Sequence, residues 1–531
     1  MKKTINILVT DPLSEEGVQI LERQTDFKVT NLKKEVAEDE LIKIIPNYNA
    51  LIVRSGTKAT KAVIDAGTKL KIIARAGVGI DNVDVDAATE KGVLVINAPE
   101  GNTVSTAEQT MALILSLARK IPWAHKSNEE GKWDRKSFKG IQLYGKTLGV
   151  IGLGRIGNEV SNRAKAFGMT IKGYDPYLSQ EQADNMGVEL TTLEDIYKNA
   201  DIITVHTPLT PQTKGLIGKN EINMMKESVL FINCARGGIF VEKDVEEALK
   251  SKRIAGAAFD TFDIEPPINN TLIGTANFMS TPHLGASTEE AQISVAIETS
   301  EAVVDFFTKG VTRNSINFPS IAPEIYEANK PFLTLCDKMG HLLGILREGN
   351  MEEFTFTFSA EMEGKPIHIM KLAALKGFFE PILSERVNFI NALKVAKERG
   401  TRIKEVFSTV EVDYPELISL KVKTNKGVSE VKGTIFHNKD PRIIMVDGYD
   451  FEIDPKGEYL LIKNKDLPGV VGVIGTILGE SKVNIATMQL GRKTKGSEAL
   501  TFISVDEKVS DDVITKIKAN PAILDAKSIS F

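Results

Sequence analysis

The stretch "VIGLGRIGNEV", residues 150–160, decides the fold. Its glycines, Gly152, Gly154 and Gly157, stand where the apolar run "LGVI" gives way to the amphipathic stretch "RIGNEVSNRAKAFG". Strand, tight loop and helix therefore follow in the order of a dinucleotide-binding βαβ unit, in which the glycines turn the chain, admit a pyrophosphate and let the helix pack closely. A second strand, "TIKGY", ends at Asp175, about 18 residues beyond Gly157. A carboxylate there accepts hydrogen bonds from an adenosine ribose and repels a 2′-phosphate, so NAD is expected rather than NADP. A glycine-rich turn beside a surface aspartate would show the same letters, and the flanking strand–helix–strand context is what separates the two.

Working outward, the alternation continues through "DIITVHTP", "SVLFINCARGG", "IAGAAFD" and "NFMSTPH", which predicts a doubly wound parallel sheet. Upstream, "INILVT", "FKVTNL", "ALIVR", "KIIARAG" and "VLVINAP" alternate with helical stretches and predict a second sheet of the same class. Between the two, a helix should open near "GNTVSTAEQTMALILSLARK", where Ser105 and Glu108 have capping-box spacing. Downstream, a helix over about 288–307 leads to "TRNSINFPSIAPE", a linker by its asparagines, serines and prolines. A long amphipathic stretch over about 326–346 and alternating strands then predict a mixed domain ending near Pro455. From Glu458 to Phe531 the order is strand, helix, strand, strand, helix, strand, a ferredoxin-like module.

Bulk properties agree with several globular domains: 531 residues, 42% hydrophobic and 26% charged. A net charge of −5 offers no basic footprint for nucleic acid or an anionic membrane. Cys234 and Cys336 are far apart and without a CxxC partner, so neither a disulfide framework nor a metal site is expected. The apolar run after the first lysines is ended by Asp11, too early for a signal segment, and a cytoplasmic location is expected.

A dinucleotide loop names no reaction; catalytic groups must be sought where strand ends face the crevice. Three candidates stand there: Arg236 in "NCARGG", Glu265 in "DTFDIEPP" and His283 in "STPHLGAST". Neutral histidine can take the proton of a hydroxyl while a hydride leaves the same carbon, a carboxylate on its other nitrogen fixes the tautomer, and arginine holds a substrate carboxylate bidentately. Arg54 in "VRSGTK" and Arg75 in "IARAGVG" end consecutive strands and could hold a phosphate, or could be solvated flanks of the sheet. Cys234 is a core residue rather than a nucleophile, since hydride transfer needs no thiolate.

The motifs "ARAGVGIDNVD", "GNTVSTAEQ", "GLGRIG", "HTPLTPQT", "NCARGG", "AFDTFDIEPP" and "TPHLGAST" occur in an order that closely resembles the D-isomer-specific 2-hydroxyacid dehydrogenases, and among them the long, regulated type. They span roughly residues 50–290. The resemblance implies an α/β protein with a discontinuous substrate-binding domain (1–98 and 285–316), an NAD-binding Rossmann domain (99–284), an intervening domain (317–455) and an ACT domain (456–531). It implies Arg236, Glu265 and His283 as the catalytic set. For the cofactor it implies Gly152, Gly154, Arg155, Ile156, Gly157, Asp175, His206, Thr207, Pro208, Thr213, Cys234, Ala235, Asp260 and Gly285. For the substrate it implies backbone amides of Val78 and Gly79, with Asn102 lining the cleft. In this family a basic residue of the arm "GKWDRKSFKG" reaches the partner's active site; Arg135 is taken for that place beside Lys136 and Lys139.

The activity so implied is NAD-dependent oxidation of 3-phospho-D-glycerate to 3-phosphohydroxypyruvate, the first step of L-serine biosynthesis, by a homodimer or homotetramer without a metal. Arg54, Arg75 and the regulatory tail favour it over 2-hydroxyglutarate, glyoxylate or lactate as substrate. The intact Arg, Glu and His set favours it over an NAD(H)-sensing corepressor-like protein. ACT domains of relatives bind serine. Here Pro468 and Gly469 are kept and Asn464, Asp466 and Asn484 are the effector-binding candidates, but Asn464 stands where several relatives carry histidine, which leaves serine open as the effector. His368, Lys371 and Lys376 form either an anion site or a solvated basic face.

Overall fold

The computed structural model describes residues 4–319, 323–383, 387–408 and 414–531, so residues 320–322 of the expected linker and the first three of the N-terminal run lie outside the described residues. Five apolar runs form a parallel sheet: β1 (Ile5–Val9), β2 (Phe27–Asn31), β3 (Ala50–Val53), β4 (Ile72–Arg75) and β5 (Leu94–Asn97), ordered β2-β1-β3-β4-β5. All residues of β3 and β5 are buried, as continuous apolar strands must be when helices cover both faces.

The second sheet holds β6 (Thr147–Ile151), β7 (Thr170–Tyr174), β8 (Glu189–Leu190), β9 (Ile202–Val205), β10 (Leu230–Asn233), β11 (Gly256–Phe259) and β12 (Phe278–Ser280). Its order, β12-β11-β10-β9-β6-β7-β8, reverses direction at β6, so the glycine loop lies at the topological switch point where doubly wound sheets take ligands. The two-residue β8 is too short to carry a periodic pattern and was not expected.

Two helices cross between these sheets. Thr103–Ala118 buries Ala107, Met111 and Ile114 against Leu148, Val150 and Ile232 of the second core. Glu289–Lys309 returns to the first sheet, where Ala296 packs so tightly on Gly17 that a Cβ added there would stand 2.7 Å from the alanine Cβ. The expected capping box is absent. The first helix starts at Thr103, Ser105 Oγ hydrogen-bonds Thr288 Oγ1 at 2.7 Å, and Glu108 lies 3.8 Å from Arg163. Both residues tie the crossing to neighbouring helices instead, while Thr288 caps the return helix by accepting from Ala291 N–H.

Beyond the crossings, β13 (Met351–Ser359), β14 (Arg402–Ser408), β15 (Ile418–Thr424), β16 (Val428–Phe436), β17 (Asp440–Val446) and β18 (Tyr449–Ile453) form a sheet ordered β14-β13-β15-β16-β17-β18. Only the β13–β14 pair of this sheet is parallel. Alternate residues Phe354, Phe356 and Phe358 of β13 point into a core shared with helices Pro323–Leu346 and Ile367–Phe379. The lysines of the second helix are paired rather than open to an anion: Lys371 with Glu405 and Lys376 with Asp337.

The last four strands, β19 (Glu458–Lys465), β20 (Ile485–Arg492), β21 (Glu498–Val505) and β22 (Ile523–Ser530), are antiparallel in the order β20-β21-β19-β22, with helices Val470–Glu480 and Asp511–Lys518. That is the ferredoxin-like arrangement. Among the described residues no helix is long and apolar enough to cross a membrane.

Candidate active site

Between the first two sheets lies a cleft of about 420 Å³, formed where the strands end. The first unit lines it with Arg75, Val78 and Gly79, the crossing helix with Asn102, and the second unit with Ile156, His206, Thr207, Pro208, Cys234, Ala235, Arg236, Asp260, His283 and Gly285. Ile80, Asp81, Thr106, Leu209 and Ala286 line it too and were not anticipated. Four buried polar atoms of lining residues have no protein partner: Arg75 Nε, Asn102 Oδ1, His206 Nδ1 and Thr207 Oγ1. Buried polar groups are rarely left unpaired, so their concentration here marks a surface built to meet a polar ligand.

His283 Nδ1 and Glu265 Oε2 are 2.7 Å apart, both side chains partly open to solvent at 47% and 37%. Burial pushes Glu265 up, but hydrogen bonds from His283 and Phe262 N–H and the positive fields of His283 and Arg236 outweigh it and hold the carboxyl below its usual range. An ionised Glu265 accepts, so Nδ1 carries the proton and Nε2 is the nitrogen left to act as a base.

The cations are gathered by glycines. A Cβ on Gly79 would stand 2.1 Å from Arg236 Nη2, and one on Gly77 would overlap Arg75 Nη1. Arg236 is steadied by Asp81, Nε to Oδ2 at 3.3 Å, and donates to Ala235 O at 2.7 Å. Burial first, then the fields of Arg236 and Arg54, bring the Arg75 guanidinium down to about 10, against Asp81 and Asp11. Arg75 therefore stays charged, at the head of a cationic group that a dianion would relieve. Arg54 does not line the cleft itself; it donates to Pro12 O at 3.0 Å. Its loop is set by Asp11, 3% exposed, which accepts from Arg54 N–H and from Thr57 N–H and Oγ1–H. The sequence signal for Asp11 was a polar residue at a strand end, there taken only as the stop of an apolar run.

The glycine loop has the form a dinucleotide needs. Gly152 takes a left-handed φ of +95°, a Cβ on Gly157 would meet Gly152 O at 2.0 Å, and one on Gly154 would enter open space. The middle position is thus a cradle that any side chain would fill. Asp175 faces this loop and accepts from Leu153 N–H at 2.9 Å and Tyr177 N–H at 2.9 Å. Arg155, at the helix start, lies 3.4 Å from Glu100.

Other cofactor candidates hold the walls. Asp260 accepts from Leu284 and Gly285 N–H at 2.8 Å each and from Thr281. Thr213 donates to Pro208 O at 2.6 Å and so shapes its loop. Burial drives His206 down to about 3 and Cys234 up to about 12, leaving one a neutral imidazole and the other an inert thiol.

Three groups lie elsewhere. Arg135 is exposed on the arm, outside the cleft of its own chain. In the C-terminal sheet, Asn464 is 1% exposed, accepts from Thr501 Oγ1–H and donates to Lys465 O. Asp466 accepts from Arg492 and Gly496 N–H, while Asn484 donates to Asp506. The three effector candidates thus have no partner in common among these bonds.

Comparison with known proteins finds three family matches: the D-isomer specific 2-hydroxyacid dehydrogenase NAD binding domain over residues 111–285, the D-3-phosphoglycerate dehydrogenase intervening domain over 328–447 and the ACT domain over 459–522. Among curated relatives, D-3-phosphoglycerate dehydrogenase of Methanocaldococcus jannaschii is 44% identical over 99% of this chain and 100% of its own. The Bacillus subtilis protein of the same name is 42% identical over 99% of both chains. Among solved structures, a glyoxylate reductase from Paecilomyes thermophila is 26% identical with a TM-score of 0.55, covering 60% of this chain and 99% of its own. NAD-dependent formate dehydrogenase from Staphylococcus aureus in complex with NAD is 27% identical with a TM-score of 0.54, covering 60% and 100%.

Proposed function

Since the chain belongs to the D-3-phosphoglycerate dehydrogenases, within the D-isomer specific 2-hydroxyacid dehydrogenase family, we propose that its cleft oxidises 3-phospho-D-glycerate to 3-phosphohydroxypyruvate with His283 as acid–base, Glu265 orienting it and Arg236 holding the substrate carboxylate. The protein is an NAD-dependent oxidoreductase, and its reaction opens L-serine biosynthesis. The observation that carries the residue roles is the His283–Glu265 pair at 2.7 Å beside the half-buried Arg75 and Arg236. When bound, NAD accepts the hydride that leaves C2.

Each group then has one task. His283 Nε2 takes the hydroxyl proton as C2 becomes a carbonyl, and Glu265 stabilises the imidazolium that forms. Arg236 and the backbone amides of Val78 and Gly79 bind the carboxylate and orient C2. Arg75, with Arg54 behind it, meets the phosphate. Gly154 admits the pyrophosphate, Asp175 the adenosine ribose, and Arg155, Ile156, His206, Thr207, Pro208, Thr213, Ala235, Asp260 and Gly285 the remaining surface of the cofactor.

Substrate-binding residues are assigned to 1–98 and 285–316, the NAD-binding domain to 99–284, the intervening domain to 317–455 and the ACT domain to 456–531. Arg135 completes the partner's site in a homodimer or homotetramer, and the enzyme works in the cytoplasm. L-serine is the effector to test first. Initial rates with NAD across a panel of 2-hydroxy acids, each with and without a 3-phosphate, test the substrate. The phosphorylated D-acid should stand well above the rest in kcat/KM; equal rates on D-lactate would overturn the assignment.

A further inference from the structure

The backbone of His283 is left-handed, with φ +57°, a conformation that residues with a side chain adopt uncommonly and keep only where their surroundings impose it. The bond to Glu265 orients the ring and leaves this turn unexplained. A buried carboxylate and a helix supply the constraint. Asp260, 1% exposed, accepts from Leu284 and Gly285 N–H through its side chain, and its carbonyl accepts from His283 N–H at 3.0 Å.

The helix is Thr103–Ala118, the first of the two crossings, whose N-cap residue Asn102 lines the cleft. Ser105 and Gln109 lie one turn apart on it with Thr106 beside them, so the three share a side. That side grips the histidine loop before and after His283. Gln109 Nε2 donates to Thr281 Oγ1 at 3.1 Å, Thr106 Oγ1 donates to Gly285 O at 3.1 Å, and Ser105 Oγ hydrogen-bonds Thr288 Oγ1 at 2.7 Å. The first of these contacts continues inward, because Thr281 Oγ1 also donates to the Asp260 carboxylate. A hydroxyl has one proton and an ionised carboxylate only accepts, so Thr281 has nothing left to donate and needs an N–H donor on its outer side. The Gln109 amide is that donor, and a glutamate at 109 could not be.

We infer, on the reading that His283 is the acid–base, that Gln109 and Thr281 are positioning residues for it. The chain from the Gln109 amide through the Thr281 hydroxyl to the Asp260 carboxylate holds the left-handed turn that brings His283 to the substrate hydroxyl. Misplacing a reacting group by about 1 Å costs on the order of a hundredfold in rate, and a turn still held by Thr106 and Ser105 loses part of that.

Initial rates of 3-phosphoglycerate oxidation at saturating NAD test it. Thr281→Val, which keeps the side-chain shape, should lower kcat about tenfold with KM for 3-phosphoglycerate unchanged. Thr281→Ser, which keeps the hydroxyl, should restore most of the turnover. Gln109→Leu should lower kcat about fivefold, and the double variant with Thr281→Val should be no slower than Thr281→Val alone, because the amide acts only through the hydroxyl. Wild-type kcat in Thr281→Val, no recovery in Thr281→Ser, or losses that multiply in the double variant would each overturn the proposal. His283→Ala, measured alongside, keeps the two readings apart: if it loses turnover while Thr281→Val does not, only the positioning chain falls, and wild-type turnover in His283→Ala would remove both.

Discussion

Glu265→Gln keeps the shape of the dyad and removes its charge. At a separation of 2.7 Å, an imidazolium–carboxylate pair is worth about 6 kcal/mol at an effective dielectric near 20 and about 1.5 kcal/mol in bulk water. The side chains are 47% and 37% exposed, which puts the pair nearer the wet limit. Some 2–3 kcal/mol, about a 30- to 160-fold fall in kcat, is then expected of the variant. KM should hold for both substrates, because the charge appears only as the proton arrives. Steady-state NADH production measures both. Stability supplies a separate check with a definite sign. The Glu265 carboxyl is held below its ordinary 4.5, so what it contributes to the fold is present above that pH and lost as pH falls through its lower folded value. Wild type should therefore unfold at a slightly higher temperature than the variant at neutral pH, with the gap closing in acid. Wild-type turnover in Glu265→Gln, or a loss confined to KM, would refute the orienting role.

Further outcomes follow from other parts of the cleft. Arg75→Met should lower kcat/KM for 3-phosphoglycerate by about tenfold or more, at 1.5–3 kcal/mol for a charge-assisted contact, and lower it less for unphosphorylated D-glycerate; equal losses would assign Arg75 to the fold. Asp175→Ala should narrow the preference for NAD over NADP, since a carboxylate about 4 Å from a 2′-phosphate costs up to about 4 kcal/mol before screening; an unchanged ratio of kcat/KM values would remove that residue from cofactor selection. L-serine should inhibit the full chain only partially or at high concentration, because Asn464 is sealed in its sheet, and Asp466→Ala should shift that titration; identical rate curves would take Asp466 out of any serine site.

Much of this architecture is legible in the sequence because buried parallel strands are unbroken apolar runs and announce themselves without periodicity. Such runs as "ALIV" and "LFIN" mark β3 and β10 closely. Two elements escape for local reasons: β8 has two residues, and helix Ile121–Glu129 starts behind Lys120 at φ 56°, a left-handed entry that lysine does not advertise. The capping box at Ser105 and Glu108 misled because tertiary partners, Thr288 and Arg163, took the side chains that a local motif would have used. Arg236, Glu265 and His283 are visible as polar residues at strand ends. What no one-dimensional reading supplies is who sits against whom: Asp81 on Arg236, or Asp11 under the Arg54 loop.

Gly77 and Gly79 make room for the cleft arginines, yet they differ in what else binds them to glycine. Gly77 has φ +143° and would be strained by any side chain, whereas the backbone of Gly79 carries no such restriction and a Cβ there would meet side-chain ends alone, Arg236 Nη2 at 2.1 Å and Asp81 Oδ2 at 2.9 Å, which must shift to admit it. The two replacements would therefore do different harm. At position 77 a side chain strains the backbone itself, whereas at position 79 it displaces the Arg236–Asp81 pair and leaves the backbone at ease. Grafting the cleft onto another scaffold would carry both glycines with the arginines, the first for its backbone and the second for the room it leaves.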